Sequence, residues 1–569
     1  MKKAFRVILV LPVVSIFIFQ SCTSGGNSKD VVSDSLAIAN GEAVFNQNCS
    51  SCHNFLQDGI GPQLSGITNK VPAEWISNFI HDPKKLIDAG DDRAKKLFDQ
   101  FHMVMPSFAS LGEKKISDII TYIKTVKVEE EPDDGDTNYL KDPIPEKIKM
   151  SGMSLQVEEL VNFPSSSDEE PRTRITKLGQ RPGSEDLYVV DLRGPLYVIK
   201  NGKPEVYMNM KSLRKDFINK PGLATGFGSF AFHPDFEKNG LLYTSHTEPK
   251  GTAKADFNYA DSIPVELQWV VTEWKTGTPD AVPFSGEGRE LLRIDMVTGI
   301  HGMQELTFNP NAKPGSKDYG KLYIGIGDGG CVENRHPSLV HTPSKAWGSI
   351  FRIDPAGNNS TNGKYGIPAD NPFAKDTDKV REMYAYGFRN PHRISWTRDG
   401  RMLAANIGQR NIESLYLIQP GRDHGWPIRE GTFLITPYGN INKARALVSD
   451  DKALKITYPV AEYDHDEGKA ISGGYEYSGS NIKDLLGKFI FGDINSGRLF
   501  FVETKNLVAS KQTPIQEFGV VYHGEQSTMQ RVCENNRVDM RLGIDHKGEM
   551  YLLSKNAGKV YRITGISKQ

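Results

Sequence analysis

Short β-prone segments separated by turn residues fill the chain from about residue 153 to residue 567. Examples are residues 187–191, 241–245 and 550–553, and long amphipathic helices are not evident in this part of the sequence. Because so many strands have edges that must be paired or covered, a stretch this long needs closure or radial repetition of its sheets. The pattern therefore predicts a β-propeller, although a pair of β-sandwiches would also satisfy it, since no exact short repeat decides between them.

The charge balance excludes one class of partner. The chain has 569 residues, with 69 Lys and Arg against 70 Asp and Glu, which gives a net charge of −1. Without an excess of basic residues there is little to neutralise a phosphate backbone, so nucleic acid is not an expected partner. The 54 glycines and 32 prolines fit a folded chain that is rich in turns.

The N-terminus has the pattern of an export signal. Two lysines precede an apolar run over residues 7–19, which is too short to cross a bilayer comfortably and leads through small residues to Cys22. The sequence before Cys22 resembles a bacterial lipobox, which would place a lipid anchor on that cysteine. Ordinary signal cleavage, with Cys22 lost or free, is the alternative. Both predict an exported bacterial protein, periplasmic or held at the outer membrane or cell surface.

A Cys-x-x-Cys-His run, Cys49 to His53 with Cys52 as its second cysteine, is typical of covalent c-type haem attachment. Two thioethers would fix the porphyrin, and the adjacent histidine would reach the iron. A thioredoxin-like redox pair is the competing interpretation, but it would give His53 no role. Met105, followed by proline, is the expected second iron ligand. Two neighbours are alternatives for that ligand: His102 and Met103.

Residues 39–127 resemble class I cytochromes c. Besides the haem run and the Met-Pro pair, they contain Gly61-Pro62 and a helical stripe of apolar residues over 116–123. In that family the Gly-Pro turn braces the proximal histidine through a backbone carbonyl. The resemblance implies a small all-α domain that carries one haem c.

The chain is expected to be multidomain, and its composition suggests five segments. They are a signal peptide at residues 1–22, a tether at 23–38, the cytochrome c domain at 39–127, an acidic linker at 128–152 and the propeller at 153–567. The linker is predicted from a run of acids broken by proline and glycine, which cannot bury itself.

Seven short motifs of the C-terminal domain resemble, in the same order, the signatures of soluble pyrroloquinoline-quinone (PQQ) dependent glucose and aldose dehydrogenases. They lie at residues 226–236, 325–330, 365–373, 385–391, 424–427, 469–474 and 491–498. Each is a common turn motif by itself, but seven in one order are hard to explain by chance. The resemblance implies an all-β propeller of six blades that oxidises an aldose sugar or similar alcohol. The fused haem would receive the electrons and pass them to a downstream redox acceptor.

The resemblance also implies roles for single residues. His301 matches the general base, with a structural histidine as the alternative, and Arg389 matches the guanidinium that polarises the reactive quinone carbonyl. Four residues match or lie near further PQQ contacts, although the three cations among them could also be surface charge: Asn390, Lys469, Arg537 and Arg541. The backbone carbonyls of Gly408 and Gln409 would hold a calcium ion against the quinone.

Four positions depart from the glucose dehydrogenase pattern: Ala224, Ile300, Gly329 and Ile407. That branch has glutamines or an acid there, and losing buried partners of this kind costs about 1 to 3 kcal/mol each. The rival hypothesis is therefore a c-type electron carrier whose propeller has lost PQQ and binds glycans or a partner protein. A propeller lactonase or other hydrolase is a further alternative, but it would leave the haem unexplained.

Two cysteines remain unassigned, Cys331 and Cys533. In an oxidising compartment two such thiols can pair, and the sequence leaves two alternatives for them, a Cys331–Cys533 disulfide and two free thiols.

Overall fold

The computed structural model describes residues 28–50, 53–55, 58, 61–101, 104–105, 107–126, 138–168, 171–220, 224–446 and 455–568. The predicted signal peptide with Cys22 lies outside the described residues, as do Cys52, His102, Met103 and the acidic run at residues 129–136. Within the part that is described, no helix combines the length and the apolar character that crossing a membrane requires.

The N-terminal domain is helical, as the sequence predicts. Its helices are α1 (Ser28–Asn48), α2 (Ile67–Lys70), α3 (Ala73–His81), α4 (Pro83–Asp88), α5 (Asp92–Phe101) and α6 (Gly112–Thr125). Helices α1 and α6 cross at Gly41, where a Cβ atom would lie 1.9 Å from the carbonyl oxygen of Asp118. Glycine therefore allows the two backbones to meet. The predicted apolar stripe of α6 packs into the core, with Ile116, Ile119 and Ile123 buried.

The remaining chain is built almost entirely of short strands. They are β1 (Lys149–Asn162), β2 (Ile175–Gln180), β3 (Leu187–Asp191), β4 (Pro195–Lys200), β5 (Lys203–Asn209), β6 (Phe227–Phe232), β7 (Leu241–Pro249), β8 (Leu267–Lys275), β9 (Glu287–Met296), β10 (Glu305–Phe308), β11 (Leu322–Ile326), β12 (Ser349–Ile353), β13 (Met383–Tyr386), β14 (Pro391–Trp396), β15 (Met402–Asn406), β16 (Ile412–Leu417), β17 (Arg429–Glu430), β18 (Phe433–Leu434), β19 (Ala461–Asp464), β20 (Ile471–Glu476), β21 (Lys488–Asp493), β22 (Leu499–Glu503), β23 (Gln516–Tyr522), β24 (Glu525–Ser527), β25 (Met540–Ile544), β26 (Met550–Ser554) and β27 (Lys559–Lys568). Three one-turn helices lie between them, α7 (Met210–Leu213), α8 (Phe236–Asn239) and α9 (Met529–Val532).

The strands form a propeller-like ring of antiparallel sheets. Four sheets have four strands each, in the orders β2-β3-β4-β5, β6-β7-β8-β9, β10-β11-β12-β13 and β14-β15-β16-β19. A nine-stranded sheet follows the order β20-β21-β22-β23-β1-β27-β26-β25, with β24 on β23, and β17 and β18 form a separate ribbon. The strands β2, β6, β10, β14, β20 and β25 contact one another in turn, and β25 contacts β2 again. This closed ring excludes a pair of β-sandwiches.

The two ends of the β-domain are tied together. Strand β1, which begins at Lys149 within the stretch predicted as linker, pairs antiparallel with β27 and parallel with β23. Met153 lies opposite Lys568, and Asn162 lies opposite Lys559. The first and last strands of the β-domain therefore share one sheet.

A buried ion pair lies where the innermost strands meet. The Lys177 ammonium group of β2 bonds to the Glu305 carboxylate of β10, to Ser229 Oγ at 3.1 Å and to the Leu306 carbonyl at 2.6 Å. Each of its three donors has an acceptor, which offsets much of the cost of burying the charge. Arg393 of β14 adds a bond to the Thr176 carbonyl at 2.6 Å and so joins the same network.

Candidate functional site

The haem-type site lies directly after α1. The N–H of Cys49 donates to the Phe45 carbonyl at 2.7 Å, and the N–H of His53 donates to the Cys49 carbonyl at 2.9 Å. These helical bonds carry both residues out of α1 in a fixed orientation. The second cysteine of the run, Cys52, lies outside the described residues.

The Gly61-Pro62 turn holds the His53 ring. Nδ1 of His53 lies 2.8 Å from the Pro62 carbonyl, to which its N–H donates, so Nε2 is left for a metal. A Cβ atom on Gly61 would lie 2.4 Å from His53 Cε1, so a larger residue would displace the ring. Burial lowers the pKa of His53, and the Pro62 carbonyl and nearby Asp58 only partly oppose this, which favours the neutral, ligating form.

Met105 packs against the apolar core of the helical domain, which also receives Cys49. The core residues it shares include Phe45, Ile116 and Ile119. Its rivals for the sixth coordination position, His102 and Met103, lie outside the described residues. The assignment of Met105 as iron ligand therefore remains a prediction, with a position in the haem-side core that fits it.

In the propeller, His301 is oriented by a carboxylate. Its Nδ1 lies 2.8 Å from Asp328 Oδ1, and its side chain is only 12% exposed. The residue has a φ of +50°, a left-handed conformation. Gly327 makes this turn possible, because a Cβ there would lie 2.1 Å from the His301 carbonyl oxygen.

Asp328 is fully buried and accepts three hydrogen bonds. Besides His301, its Oδ1 accepts from the Gly330 N–H at 2.9 Å, and its Oδ2 accepts from Trp426 Nε1 at 3.0 Å. Burial raises the pKa of Asp328, but the His301 hydrogen bond and the Arg389 charge outweigh it and leave the pKa lowered. The sequence analysis did not assign a role to Asp328, although it belongs to the Gly-Asp-Gly-Gly motif.

The Arg389 guanidinium is held by three acceptors. Nε donates to Gln409 Oε1 at 2.9 Å, one terminal nitrogen donates to the Gly408 carbonyl at 2.6 Å, and the other pairs with Glu333. Its Cζ also lies 5.9 Å from the Trp426 ring centre, the same ring that binds Asp328. Arg389 and His301 therefore share one site. Glu333 was missed at the sequence level, because nothing local links it to an arginine 56 residues away.

The backbone of the predicted PQQ residues Arg389 and Asn390 is fixed by one side chain. Oδ1 of Asn406 accepts from the N–H of Arg389 at 3.1 Å and from that of Asn390 at 2.9 Å. Asn390 in turn accepts at its carbonyl from the Ile407 N–H at 3.0 Å. Two predicted positions are thus tied to the end of β15.

A single buried carboxylate clamps the loop that contains the predicted calcium ligands. Glu430 Oε1 accepts from four consecutive backbone N–H groups, those of Gln409, Arg410, Asn411 and Ile412, at 2.7 to 2.9 Å. The clamp fixes the carbonyls of this loop. Because the Gly408 carbonyl accepts from the cationic Arg389, a calcium ion there would require that guanidinium to move. We derive no catalytic step through calcium.

Lys469 belongs to the same region. Its backbone N–H donates to Asp493 Oδ1 at 2.6 Å. Burial lowers the pKa of the Lys469 ammonium to about 8; nearby Asp493 opposes this, and Arg410 adds to it. The neighbouring His465, bonded to Glu413 at 3.0 Å, has a pKa lowered by burial and by Lys469, Arg410 and Arg389.

A second set of buried cations surrounds His392, whose pKa is also influenced by His301. Arg541 is buried, and burial lowers its pKa to about 10 although Asp539 opposes the shift. Arg537 pairs with Asp539 at 2.9 Å. Among the described residues, three buried nitrogens here have no hydrogen-bond partner. They are both ring nitrogens of His392 and the Nε of Arg541. Burial lowers the pKa of His392 well below its usual value. The nearby Arg393, Arg541, Lys555 and His301 lower it further.

The Cys331–Cys533 disulfide, which the sequence left open, is not formed in the structure. Cys331 and Cys533 are both buried free thiols. Cys331 packs in the apolar core that includes Trp347, whereas Cys533 packs in a different core and points at the Tyr561 hydroxyl, 3.8 Å away. The burial that raises the pKa of both thiols also keeps them apart from oxidants.

The comparisons with known families match both domains. Residues 38–127 match the family model for cytochrome c, and residues 297–562 match the model for glucose / sorbosone dehydrogenase. The chain is thus a fusion of a cytochrome c domain to a glucose/sorbosone dehydrogenase domain.

Individual relatives are distant. The chain is 26% identical to the HIPL1 protein of Arabidopsis thaliana, over 62% of this chain and 55% of the relative. It is 23% identical to the human Hedgehog-interacting protein, over 69% and 51%, and 25% identical to quinoprotein glucose dehydrogenase B of Acinetobacter calcoaceticus, over 37% and 42%. The chain thus spans about half the length of these relatives. The soluble aldose sugar dehydrogenase from Escherichia coli, in its apo-form, has a similar fold, with a TM-score of 0.51, 16% identity and coverage of 73% of this chain and 100% of that one.

Proposed function

We propose that this chain is an exported quinohaemoprotein that oxidises an aldose sugar or a similar alcohol with PQQ and passes the electrons to its own haem c. The observation that carries the proposal is the Asp328–His301 pair beside the Arg389 guanidinium. A general base and a fixed cation in one pocket are what alcohol oxidation by hydride removal requires. The family matches of the two domains support the same conclusion.

In this proposal His301 removes the hydroxyl proton of the substrate. Because Nδ1 donates to Asp328, Nε2 carries the free lone pair and can act as the base. The buried carboxylate then stabilises the positive charge that His301 acquires. When bound, PQQ supplies the electrophilic carbonyl that accepts the hydride. Arg389 lies where its charge can stabilise the negative charge that arrives with it.

The described residues fit a polyanionic quinone. The unpartnered nitrogens of His392 and Arg541 lie in a buried region where Arg393, Arg541 and Lys555 together lower the pKa of His392. Lys469 adds another cation, which acts on His465 together with Arg389. The three carboxylates of PQQ would supply hydrogen-bond acceptors for these unpartnered nitrogens. Asn390 and Arg537 complete the predicted contact set.

We further infer six blades, a signal peptide and a lipid anchor at Cys22. The blade count follows if the nine-stranded sheet is two blades joined by the β1–β23 pairing, since β20 to β23 and β25 to β27 with β1 are each a run of four strands. Export is supported by the N-terminal sequence alone. In a bacterium it would place the protein in the periplasm or at the cell surface, attached to a membrane only by the acyl chains.

The test is optical. Haem-loaded protein receives PQQ, calcium and a panel of aldoses, and the appearance of the ferrous haem band is followed. We expect reduction only when quinone and sugar are both present, and we expect it to be lost in His301→Ala but kept in a matched control, the exposed His546→Ala. Undiminished turnover in His301→Ala would refute the base assignment. Absence of both haem reduction and quinone binding would refute the dehydrogenase.

One observation favours a second function, a propeller that lacks PQQ and binds a glycan or a protein. The chain resembles over much of its length a relative that is named as Hedgehog-interacting. The positions Ala224, Ile300, Gly329 and Ile407 lack the polar groups of the glucose dehydrogenase branch. This function predicts that a calorimetric titration with PQQ gives no binding signal.

A further inference from the structure

We propose that Asp58 and Arg410 form the docking contact that holds the haem loop against the rim of the quinone site and so provides the route for electrons between the two domains. The inference rests on the proposed function. Asp58 Oδ2 lies 3.0 Å from a terminal nitrogen of Arg410. Asn442 Nδ2 donates to the backbone carbonyl of Asp58 at 2.5 Å, and the Arg410 Cζ lies 4.4 Å from the ring centre of Phe101 at the end of α5.

On the haem side, Asp58 belongs to the segment that fixes the predicted iron ligand. It lies between His53 and Pro62 in sequence, and its Oδ1 accepts from the Gln63 N–H at 2.8 Å. Its carboxylate is also close enough to His53 to raise the pKa of that ring against the larger effect of burial. A partner that holds Asp58 therefore acts on its contact with Gln63, the residue that directly follows Pro62, whose carbonyl holds His53.

On the propeller side, Arg410 belongs to the loop that Glu430 clamps. Its neighbour Gln409 accepts from Arg389 and donates to Asn442 at 3.3 Å, and Asn442 holds the Asp58 carbonyl. A short covalent and hydrogen-bonded chain thus joins the guanidinium of the candidate quinone site to the haem loop. The chain runs through three hydrogen bonds, from Arg389 to Gln409, from Gln409 to Asn442 and from Asn442 to the Asp58 carbonyl.

The contact is of a strength that permits release. The Asp58 side chain is 29% exposed and the Arg410 side chain 19% exposed, so solvent partly screens the attraction between the two charges. The pair should therefore orient the domains while leaving the pocket able to open for substrate. It should also weaken as salt rises, because exposed charges are screened.

The electron balance sets how often the contact is used. Oxidation of one alcohol to the carbonyl compound releases two electrons and two protons, and a haem iron takes one electron as Fe³⁺ becomes Fe²⁺. Two successive transfers per substrate are needed, with an external one-electron oxidant such as ferricyanide restoring Fe³⁺ after each. The hydroxyl proton passes to His301 and then to solvent. The second hydrogen leaves carbon within the hydride, and it would be released as a proton when the quinone gives up its two electrons.

The kinetic test separates electron transfer from sugar oxidation. With PQQ and an aldose present, stopped-flow spectroscopy measures haem reduction, and a small redox dye that takes electrons directly from the quinone measures the propeller alone. We expect Asp58→Ala to slow haem reduction at least tenfold and to leave dye reduction within twofold of wild type. The matched control is Asp99→Ala, an exposed acid of α5. The double reversal Asp58→Arg with Arg410→Asp should restore most of the rate.

A second test needs neither quinone nor activity. In Arg410→Lys, a zero-length carbodiimide should couple the new amine to Asp58, and mass spectrometry should find the linked peptides; Asp58→Asn in the same background should abolish the link. Absence of the link would overturn the docking contact. Dye reduction with unchanged haem reduction in Asp58→Ala would overturn the electron route, whereas no dye reduction in wild type would overturn the proposed function and leave the cross-link result standing.

Discussion

Asp328→Asn is the substitution that tests the proposed base most directly. The carboxylate accepts from His301 and Gly330 at Oδ1 and from Trp426 at Oδ2. Asparagine has one oxygen and one amide NH2 group, which only donates. In one orientation its NH2 group faces the Trp426 N–H, and in the other it faces the N–H groups of His301 and Gly330.

The magnitude follows from these two placements. A buried donor without an acceptor costs about 1 to 3 kcal/mol, which sets the expected loss of stability. If the NH2 group faces His301, the ring must adopt the tautomer with hydrogen on Nε2, which cannot accept a proton. If the oxygen faces His301, the charged hydrogen bond that stabilises its protonated form becomes a neutral one, about half as strong. We expect a loss of about 2 to 4 kcal/mol in transition-state stabilisation, or roughly 30-fold to 1000-fold in kcat.

The assay is dye reduction by quinone-loaded protein with saturating sugar, alongside a quinone titration and a thermal melt. The expected pattern is a large fall in kcat, little change in quinone affinity, and a lowered Tm. Asp378→Asn, an exposed acid between β12 and β13, serves as the matched control. A kcat within about threefold of wild type, with Asp328→Asn folded and loaded, would refute the orientation argument.

Three further predictions concern Lys469, the Gly61 turn and the two buried cysteines. If Lys469 holds the quinone carboxylates as proposed, affinity for PQQ should fall as pH rises through about 8, where its ammonium group loses its charge. Lys469→Gln should remove this pH dependence in isothermal titrations. Gly61→Ala should displace His53, since its Cβ would lie 2.4 Å from the ring, and the absorption spectrum should show less low-spin haem or less haem bound per chain. Denatured, unreduced protein should yield both the Cys331 and the Cys533 thiol to a thiol reagent, whereas native protein should yield neither; a mass lower by two hydrogens would show a disulfide instead.

The sequence predicts local features well. The apolar stripe of α6 is a repeat within one helix, so its buried face could be read directly. His301 and Arg389 lie in or beside recognisable motifs and are indeed brought into one site, although their chemical roles remain to be measured. Cys331 and Cys533 show the limit, because pairing depends on where two remote segments meet and no local pattern records that.

Other contacts of the site could not be predicted for the same reason. Trp426 lies 98 residues after Asp328, and their bond exists because the sheet that contains β11 packs beside the sheet that contains β14 to β16. Glu430 has no motif around it, yet from its place in β17 it clamps the loop that begins at Gly408. The pairing of β1 with β27 joins residues about 400 apart in sequence, which no local pattern records. The linker predicted to end at residue 152 therefore includes the first residues of β1, which starts at Lys149.

The four departures from the glucose dehydrogenase pattern bear on whether the propeller can still bind PQQ. The Ala224 carbonyl accepts from the Gln304 side chain at 3.0 Å, so a glutamine remains at that place although it comes from a different loop. Gly329 has a φ of +63° and a Cβ there would lie 2.8 Å from Met296 Sδ, so a glutamine could not be fitted without strain. A propeller that had lost its cofactor would be free to fill such a pocket with apolar side chains, since buried unpaired charges are costly. The propeller of this chain instead retains the Arg389–Glu333 ion pair, and it leaves buried nitrogens of His392 and Arg541 without hydrogen-bond partners. Burying those nitrogens unpaired costs free energy, and binding an anionic quinone would remove that cost.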